Sequence, residues 1–323
     1  MKNFLFQIIS LSCIQILLVL VLSPLINTLI KKLKALLQGR QGPPLMQGYY
    51  DLLKYFHKET VVSKQTSWLF LFTPFIFFTT ALLASLVVPT FINITPLNIF
   101  GGVIFFVYIL SLGRFFMALA SMEPGSGFCG MASSREMMLA LLIEPVMLLS
   151  LFVLVLMSGS INLQVIIDWL SDQGVSNFSP SYFLSMLALL VVVIAEMGRV
   201  PFDNPETHYE LTMIHEGMLL EYSGKQLGLM FWGNWIKQVL VLSLVANLFF
   251  PHGISMMSQP INLLLGFMLY FCKLLVLCIV VALVETVFAK VRLFRVKDIL
   301  VTSFVSTIIA LVLFVKHKVG GLN

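Results

Sequence analysis

Charged residues are scarce in this sequence. Only 11% of its 323 residues are Asp, Glu, Lys or Arg, whereas a soluble domain contains about 25%. Hydrophobic residues make up 59% of the chain, and its mean hydropathy is +0.98. Lipid can cover that much apolar surface, but water cannot solvate it. The composition therefore predicts an integral membrane protein and excludes a soluble enzyme.

Motifs that bind metals or redox cofactors are also missing. The four cysteines lack the spacing of a metal site, and Cys272 and Cys278 lie inside an apolar run. His215-Glu216 is followed by Leu219 where a zinc protease would have its second histidine. There is no glycine-rich phosphate loop, and the net charge of +5 does not suggest a nucleic-acid partner. We expect no cofactor or metal in this chain, so any redox centres belong to partners.

Eight hydrophobic runs are long enough to cross about 30 Å of hydrocarbon. They cover residues 4–30, 68–88, 98–120, 134–158, 181–197, 231–250, 261–289 and 297–315. The predicted fold class is therefore all-α: a polytopic membrane protein of about eight transmembrane helices in one domain, residues 1–323. Lysines follow the first run where a signal peptide would have a small-residue cleavage site, so we interpret it as a span.

Basic residues are concentrated in the segments after the first, third, fifth and seventh spans. The positive-inside rule places these segments in the cytoplasm and both termini outside the cytoplasmic membrane. Two of the segments are long. Residues 31–67 contain a Gly-Pro turn, Gly39–Pro44, and an amphipathic interfacial helix, Tyr49–Lys58. Residues 198–230 form an acidic loop.

Ionisable residues inside the predicted spans are functional candidates, because a charge at membrane depth is costly. Glu144, followed by Pro145, lies about 15 Å into the fourth span at 1.5 Å per residue. Lys273 is similarly deep, so it is a candidate charge partner of Glu144 or another relay member. A structural carboxyl that is hydrogen-bonded to a neighbouring helix is the alternative interpretation of Glu144.

Other ionisable residues lie nearer the cytoplasmic ends of the spans. For Arg114 and Lys237, snorkelling to the interface explains the position as well as function does. Glu196, at the end of the fifth span, is placed to link the interior to the following loop. Glu136 lies in the first turn of the fourth span, where a carboxylate interacts favourably with the helix N-terminus. Glu285 is a further candidate.

The acidic loop follows Glu196 directly. Asn204 and Pro205 predict a helix start that puts Glu206 and Glu210 on one face, while His208 and His215 share another. Crowded carboxylates have raised and coupled pKa values, which suits proton handling near neutrality. The alternative is an acidic patch that is simply solvated.

At these residues the chain resembles the subunit 1 family of respiratory complex I and the related membrane-bound nickel–iron hydrogenases, which include formate hydrogenlyase. The resemblance covers nearly the whole chain. Its motifs are Glu196–Asp203 with Pro201 and Phe202, Glu221-Tyr222-Ser223-Gly224, Ser134-Arg135-Glu136 through Glu144-Pro145, and Arg40, Gly42-Pro43, Asp51 and Lys54.

The resemblance implies a membrane anchor that docks a peripheral electron-transfer arm and a chain of acidic residues that couples redox chemistry to proton or sodium movement. The coupling candidates are Glu144, Glu196, Asp203, Glu206, Glu210, Glu216, Glu221, Lys237, Lys273 and Glu285. The candidates for the junction with the peripheral arm are Arg40, Asp51, Lys54, Arg135, Arg199, His208 and His215.

Two departures from the quinone-reducing branch favour the hydrogenase branch. The Gly-Pro segment is shortened to Gly39–Gln47, and Thr212–Glu216 resembles the hydrogenase sequence. The expected partners are a hydrogenase-like large subunit with a nickel–iron centre, an iron–sulfur small subunit, antiporter-like membrane subunits and the lipid bilayer. Two alternatives stay open: a quinone-chamber subunit of a complex I NADH dehydrogenase, and a free-standing secondary ion transporter.

Overall fold

A computed structural model of the protein describes residues 2–63, 65–91, 102–173, 179–203, 213–251 and 260–320. Within these ranges the chain forms α-helices and one short 3-10 helix, Glu216–Leu219, and no strand. The α-helices are α1 (Lys2–Leu37), α2 (Gln47–His57), α3 (Trp68–Ser85), α4 (Gly102–Met122), α5 (Gly127–Ser158), α6 (Leu163–Gln173), α7 (Pro180–Glu196), α8 (Gly224–Phe249), α9 (Pro260–Val287) and α10 (Leu293–Gly320).

The prediction of an all-α polytopic membrane protein is confirmed. Among the described residues, seven helices are long and apolar enough to cross a membrane, and the apolar helix α7 is slightly shorter. Each corresponds to a predicted span, although α5 begins at Gly127 rather than at residue 134 and α10 at Leu293 rather than at residue 297. Helix α6 lies between the predicted spans 134–158 and 181–197, where the hydrophobic runs predict no helix.

Local sequence signals define several helix ends. Ser67 accepts a hydrogen bond from the Leu69 N–H at the start of α3, and Ser179 does the same for Tyr182 at the start of α7. Such caps satisfy backbone donors that have no partner within the helix. Gly159 ends α5 with a φ of 74°, which glycine adopts without strain.

Helix α8 is the most enclosed of the long spans, whereas α9 and α10 are the most exposed. Helix α8 packs against α1 and α3. Helix α5 packs against α4, α7 and α10. Helix α9 packs mainly against α1. The polar residues of α4, α5, α7 and α8 are therefore close to one another inside the bundle.

The segments 31–67 and 198–230 meet at one end of the bundle. Val61 donates its backbone N–H to Ser223 Oγ at 2.8 Å, and Ser223 Oγ donates in return to the Val61 carbonyl at 2.8 Å. The predicted amphipathic helix Tyr49–Lys58 is present as α2, which packs against α1 and α8. Both long segments thus contribute to one surface of the protein.

Candidate functional site

Arg114 of α4 lies at the centre of a buried ionic network and is only 4% exposed. Its Nη2 donates to both carboxylate oxygens of Glu196, at the end of α7. Its Nη1 donates to Glu144 Oε1 at 3.0 Å, and its Nε lies 3.5 Å from Glu136 Oε1. One guanidinium therefore contacts three carboxylates, two of them from α5.

Lys237 of α8 completes this network, with its Nζ 3.3 Å from Glu196 Oε1. The interpretation of Arg114 and Lys237 as snorkelling residues is wrong, since both side chains are 5% exposed and ion-paired inside the bundle. Glu136 is not in a first turn either, because α5 starts at Gly127. With three carboxylates against two bases, this network holds one more acidic than basic group.

Glu144 is the most accessible carboxylate of the network. It lies near the middle of α5, its side chain is 29% exposed, and Ser111 Oγ donates to its Oε1 at 2.7 Å. The expectation that Lys273 pairs with Glu144 is wrong, because the basic partner of Glu144 is Arg114. Glu144 thus places the edge of the network near the middle of a helix that is long and apolar enough to span a membrane.

A second branch leads from Arg114 to the loop that follows α7. Glu136 Oε1 is 3.8 Å from His215 Nδ1, an ion pair when the imidazole is protonated. Asp203 accepts hydrogen bonds from the backbone N–H groups of Ile214 and His215, at 3.3 and 3.1 Å, and from Lys290 Nζ at 2.9 Å. The backbone at His215 is therefore held by a buried carboxylate.

Arg199 is the centre of a second buried network. Its Nη1 donates to Glu285 Oε1 at 2.7 Å, and Lys34 Nζ lies 3.4 Å from Glu285 Oε2. Its Nη2 donates to Asn27 Oδ1 and Gln238 Oε1, at 2.9 and 3.1 Å. These contacts use both terminal nitrogens of a guanidinium that is 3% exposed, while its Nε is buried without a hydrogen-bond partner among the described residues.

The turn before Arg199 requires a glycine. Gly198 has a φ of 62°, in the left-handed region that other residues adopt only with strain. This turn ends α7 after Glu196 and sends the chain back along the bundle. Arg199 and Glu196 consequently enter different networks although they are three residues apart.

A cavity of about 340 Å³ lies beside both networks. Burial raises the pKa of Tyr55 in its wall, and the charges of Asp51 and Glu216 raise that pKa further, so the phenol stays protonated as a donor. Ten of the fourteen lining residues have polar side chains: Asn27, Lys31, Asp51, Tyr55, Arg199, Asp203, His215, Glu216, Asn234 and Gln238. Among the described residues, His215 Nε2 is buried without a hydrogen-bond partner.

Comparison with known proteins identifies the family. The family described as NADH dehydrogenase matches residues 9–316. The chain belongs to this NADH dehydrogenase family. It is 34% identical over 278 residues to "Hydrogenase-4 component C" of Escherichia coli (strain K12), covering 86% of this chain and 87% of that protein.

One further relative agrees with this assignment, and one solved structure shares the fold. "Formate hydrogenlyase subunit 4" of Escherichia coli (strain K12) is 34% identical over 280 residues, 87% of this chain and 90% of that protein. A chain of the membrane-bound sulfane sulfur reductase, an archaeal respiratory membrane complex, is 20% identical with a TM-score of 0.78. That likeness covers 94% of this chain and 99% of the other, and it establishes a shared fold.

The remaining described candidates of this family member lie outside both buried networks. Arg40, Lys54 and Glu221 are exposed, and Arg135 Nη1 donates to the Met213 carbonyl at 3.3 Å. Glu206, His208 and Glu210 lie outside the described residues, together with the helix start predicted at Asn204. Within the described part of the chain, no three His, Cys, Asp or Glu residues are grouped to hold a metal ion.

Several members of the networks were not among the site residues predicted from the sequence. Lys34 and Lys290 counted only as orientation signals, yet both pair with buried carboxylates. Asn27, Ser111 and Gln238 are uncharged, so their residue type alone does not distinguish them from ordinary polar residues in a helix. Their common signal is a polar side chain at a depth where lipid disfavours it.

Proposed function

We propose that this chain is the membrane anchor and ion-coupling subunit of a hydrogenase-type complex. Electrons would move through nickel–iron and iron–sulfur centres of partner subunits, and the membrane would be the cytoplasmic membrane of a prokaryote. Both termini would lie outside, and the cavity end of the bundle would face the cytoplasm and the peripheral arm. The relatives named for hydrogenase-4 and formate hydrogenlyase support this assignment.

The continuous ionic network is the observation that carries the coupling role. It starts at Glu144 near the middle of α5, passes through Arg114 to Glu196 and Glu136, and reaches His215 on the wall of the cavity. Intramembrane ionisable residues that pair with one another are typical of proton and ion paths. A purely structural anchor would not need a partly exposed carboxylate at mid-membrane depth.

The cavity supports a junction role for its polar residues. Asp51, Arg199, Asp203 and His215 lie on its wall or beside it, at the end of the bundle where both long segments meet. A charge change in a subunit docked there would act on the network over a short, poorly screened distance. We propose that Glu206, Glu210 and Glu221 extend this junction toward the peripheral subunits.

Glu144→Gln tests the coupling role. Glutamine keeps the acceptor oxygen for Ser111 and Arg114 but removes the titratable proton. We expect the assembled complex to retain electron transfer while ion movement per electron falls about a hundredfold, the lower end of what a positioned proton-transfer group contributes. The measurement is ion uptake by proteoliposomes that contain the purified complex, alongside its electron-transfer rate.

Asp172→Asn is the matched control, because Asp172 is an exposed carboxylate outside the spans. It should leave both rates unchanged. Wild-type coupling in assembled Glu144→Gln complexes would reduce Glu144 to a structural carboxyl. Loss of assembly alone would equally argue against a coupling role for this residue.

A quinone-chamber role in an NADH dehydrogenase is the second candidate, and the cavity beside Arg199 and His215 favours it. A short-chain quinone added to the purified complex distinguishes the two: reduction that is slowed by Asp51→Asn would support a chamber. Ion transport by the chain reconstituted alone would support a secondary transporter instead.

A further inference from the structure

Lys273 of α9 is an intramembrane lysine without a counter-charge among the residues that the structure describes. Among the described residues it has no ion pair within 4.0 Å and no hydrogen-bond partner. By contrast, Arg114, Arg199 and Lys237 each pair with a buried carboxylate. Lys273 is thus an exception among the basic residues at membrane depth.

Snorkelling does not explain Lys273. The apolar span of α9 covers Leu264–Val287. At about 1.5 Å per residue, Lys273 lies about 14 Å from one end of that span and about 21 Å from the other. Snorkelling serves long side chains near helix ends, and neither end is near. To stay charged at this depth, the amino group therefore needs an anionic partner.

The surface beside Lys273 is large, apolar and uncovered. Helix α9 packs mainly against α1 and α8, and its Phe267 and Glu285 also contact Phe91 and Arg199, but one face of the helix is exposed along its length. Lys273 is partly buried and sits at the border of this surface. The exposed residues of the α9 face are Leu264, Leu265, Met268, Leu269, Cys272, Val276, Ile279, Val280, Leu283 and Val287.

We propose that this α9 face docks a transmembrane helix of a partner membrane subunit, and that the helix carries an Asp or Glu opposite Lys273. The inference requires a membrane-embedded partner, as in the proposed complex, but not that ions move through this chain. Charge complementarity identifies the occupant, because a carboxylate at equal depth neutralises the ammonium and leaves an apolar helix–helix contact.

The other occupants fit the charge less well. Lipid phosphates lie at the interface and leave the middle of the span without an anion. A second copy of this chain in a two-fold dimer would present the same face, since such interfaces are self-complementary. Two Lys273 ammonium groups would then approach each other and repel.

Site-specific photo-crosslinking in the assembled complex tests the occupant. A photoreactive phenylalanine at Val276, 45% exposed and one turn from Lys273, should crosslink to one helix of a membrane subunit. Mass spectrometry should find an Asp or Glu near the middle of that helix. The same group at Leu141 of α5, which is 73% exposed, should not crosslink to that helix.

Charge exchange tests the ion pair itself. Lys273→Asp should lower retention of the crosslinked subunit about tenfold or more, because two carboxylates would face each other in lipid. Lys273→Arg should retain it, and replacing the partner's carboxylate with Lys should restore binding to Lys273→Asp. Rescue separates a lost ion pair from a misfolded chain.

Three outcomes would overturn the inference: crosslinks from Val276 to lipid alone, crosslinks to a second copy of this chain, or full retention of the subunit by Lys273→Asp. Each is independent of coupling, since retention is measured without turnover. Impaired coupling in Glu144→Gln would leave the result at Lys273 unaffected, and the converse also holds.

Discussion

Arg114 is the residue on which the candidate site depends most. A guanidinium is planar and offers five donors, so it can contact several carboxylates at once, whereas an ammonium acts as a point charge. Here Arg114 contacts Glu136, Glu144 and Glu196, which would otherwise repel one another in a medium of low dielectric constant.

Arg114→Met should therefore destabilise the protein by about 3–5 kcal/mol, as expected when one partner of a buried ion pair is removed. Arg114→Lys should lose less, because it keeps the charge but not the fork that binds Glu196. The measurement is the free energy of unfolding in detergent micelles by denaturant titration.

Arg40→Met is the control for this series, because Arg40 is exposed. Its effect should stay within about 0.5 kcal/mol, the range of ordinary surface substitutions. If Arg114→Met were as mild as Arg40→Met, the buried carboxylates would have to be protonated and the network would not be ionic.

Single residues of the site were predictable where a charged residue lies within a predicted transmembrane span. Glu144 and Glu196 were found that way, and the structure joins both to Arg114. The pairing was not predictable, because it depends on how far each helix rotates about its axis. Depth alone suggested Lys273 as the partner of Glu144. Lys273 lies on α9, however, whereas Arg114 lies on α4, which packs against the helix of Glu144, α5.

At the scale of the helix, α2 is fixed to the bundle through a close contact at Gly48. The Gly48 N–H donates to Thr28 Oγ1 of α1 at 3.1 Å. A Cβ at this position would lie 2.7 Å from the Pro24 carbonyl oxygen and 2.7 Å from Thr28 Oγ1. The backbone of α2 thus approaches α1 more closely than any side chain would allow.

Gly48→Ala should displace α2 and destabilise the protein by about 1–3 kcal/mol, the usual cost of overpacking. Gly130→Ala in α5 is the matched control, since its Cβ would have nothing within 4 Å. There alanine should stabilise by about 0.5–1 kcal/mol through helix propensity. Thermal unfolding in detergent measures both, and equal effects would contradict the close contact.

Helix existence was more predictable than helix boundaries. Each predicted span corresponds to a helix, because its length and apolarity reflect bilayer thickness. The start of α5 was misplaced because the omitted residues 127–133 include Gly127 and Gly130, and glycine disfavours a helix interior. Helix α6 was missed because eleven residues with two carboxylates are too short for a clear periodic pattern.

At the scale of the whole molecule, the orientation in the membrane remains a prediction from basic residues. In a variant without native cysteines, we expect Glu221→Cys to react with a membrane-impermeant maleimide only after the cells are permeabilised. Asp172→Cys should react in intact cells. Both positions are exposed, so reactivity reports the side of the membrane rather than burial. Labelling of Glu221→Cys in intact cells would reverse the orientation.

The buried ion pairs also imply an order in which charges are neutralised while the chain is synthesised. Arg114 of α4 meets Glu136 and Glu144 in the next helix to be synthesised, and Glu196 of α7 meets Lys237 in the next span, α8. Lys34 and Arg199 instead share Glu285, which enters with α9. A nascent chain that stops after α8 would hold two unneutralised bases, so we expect it to be recognised by membrane quality control while the finished chain escapes.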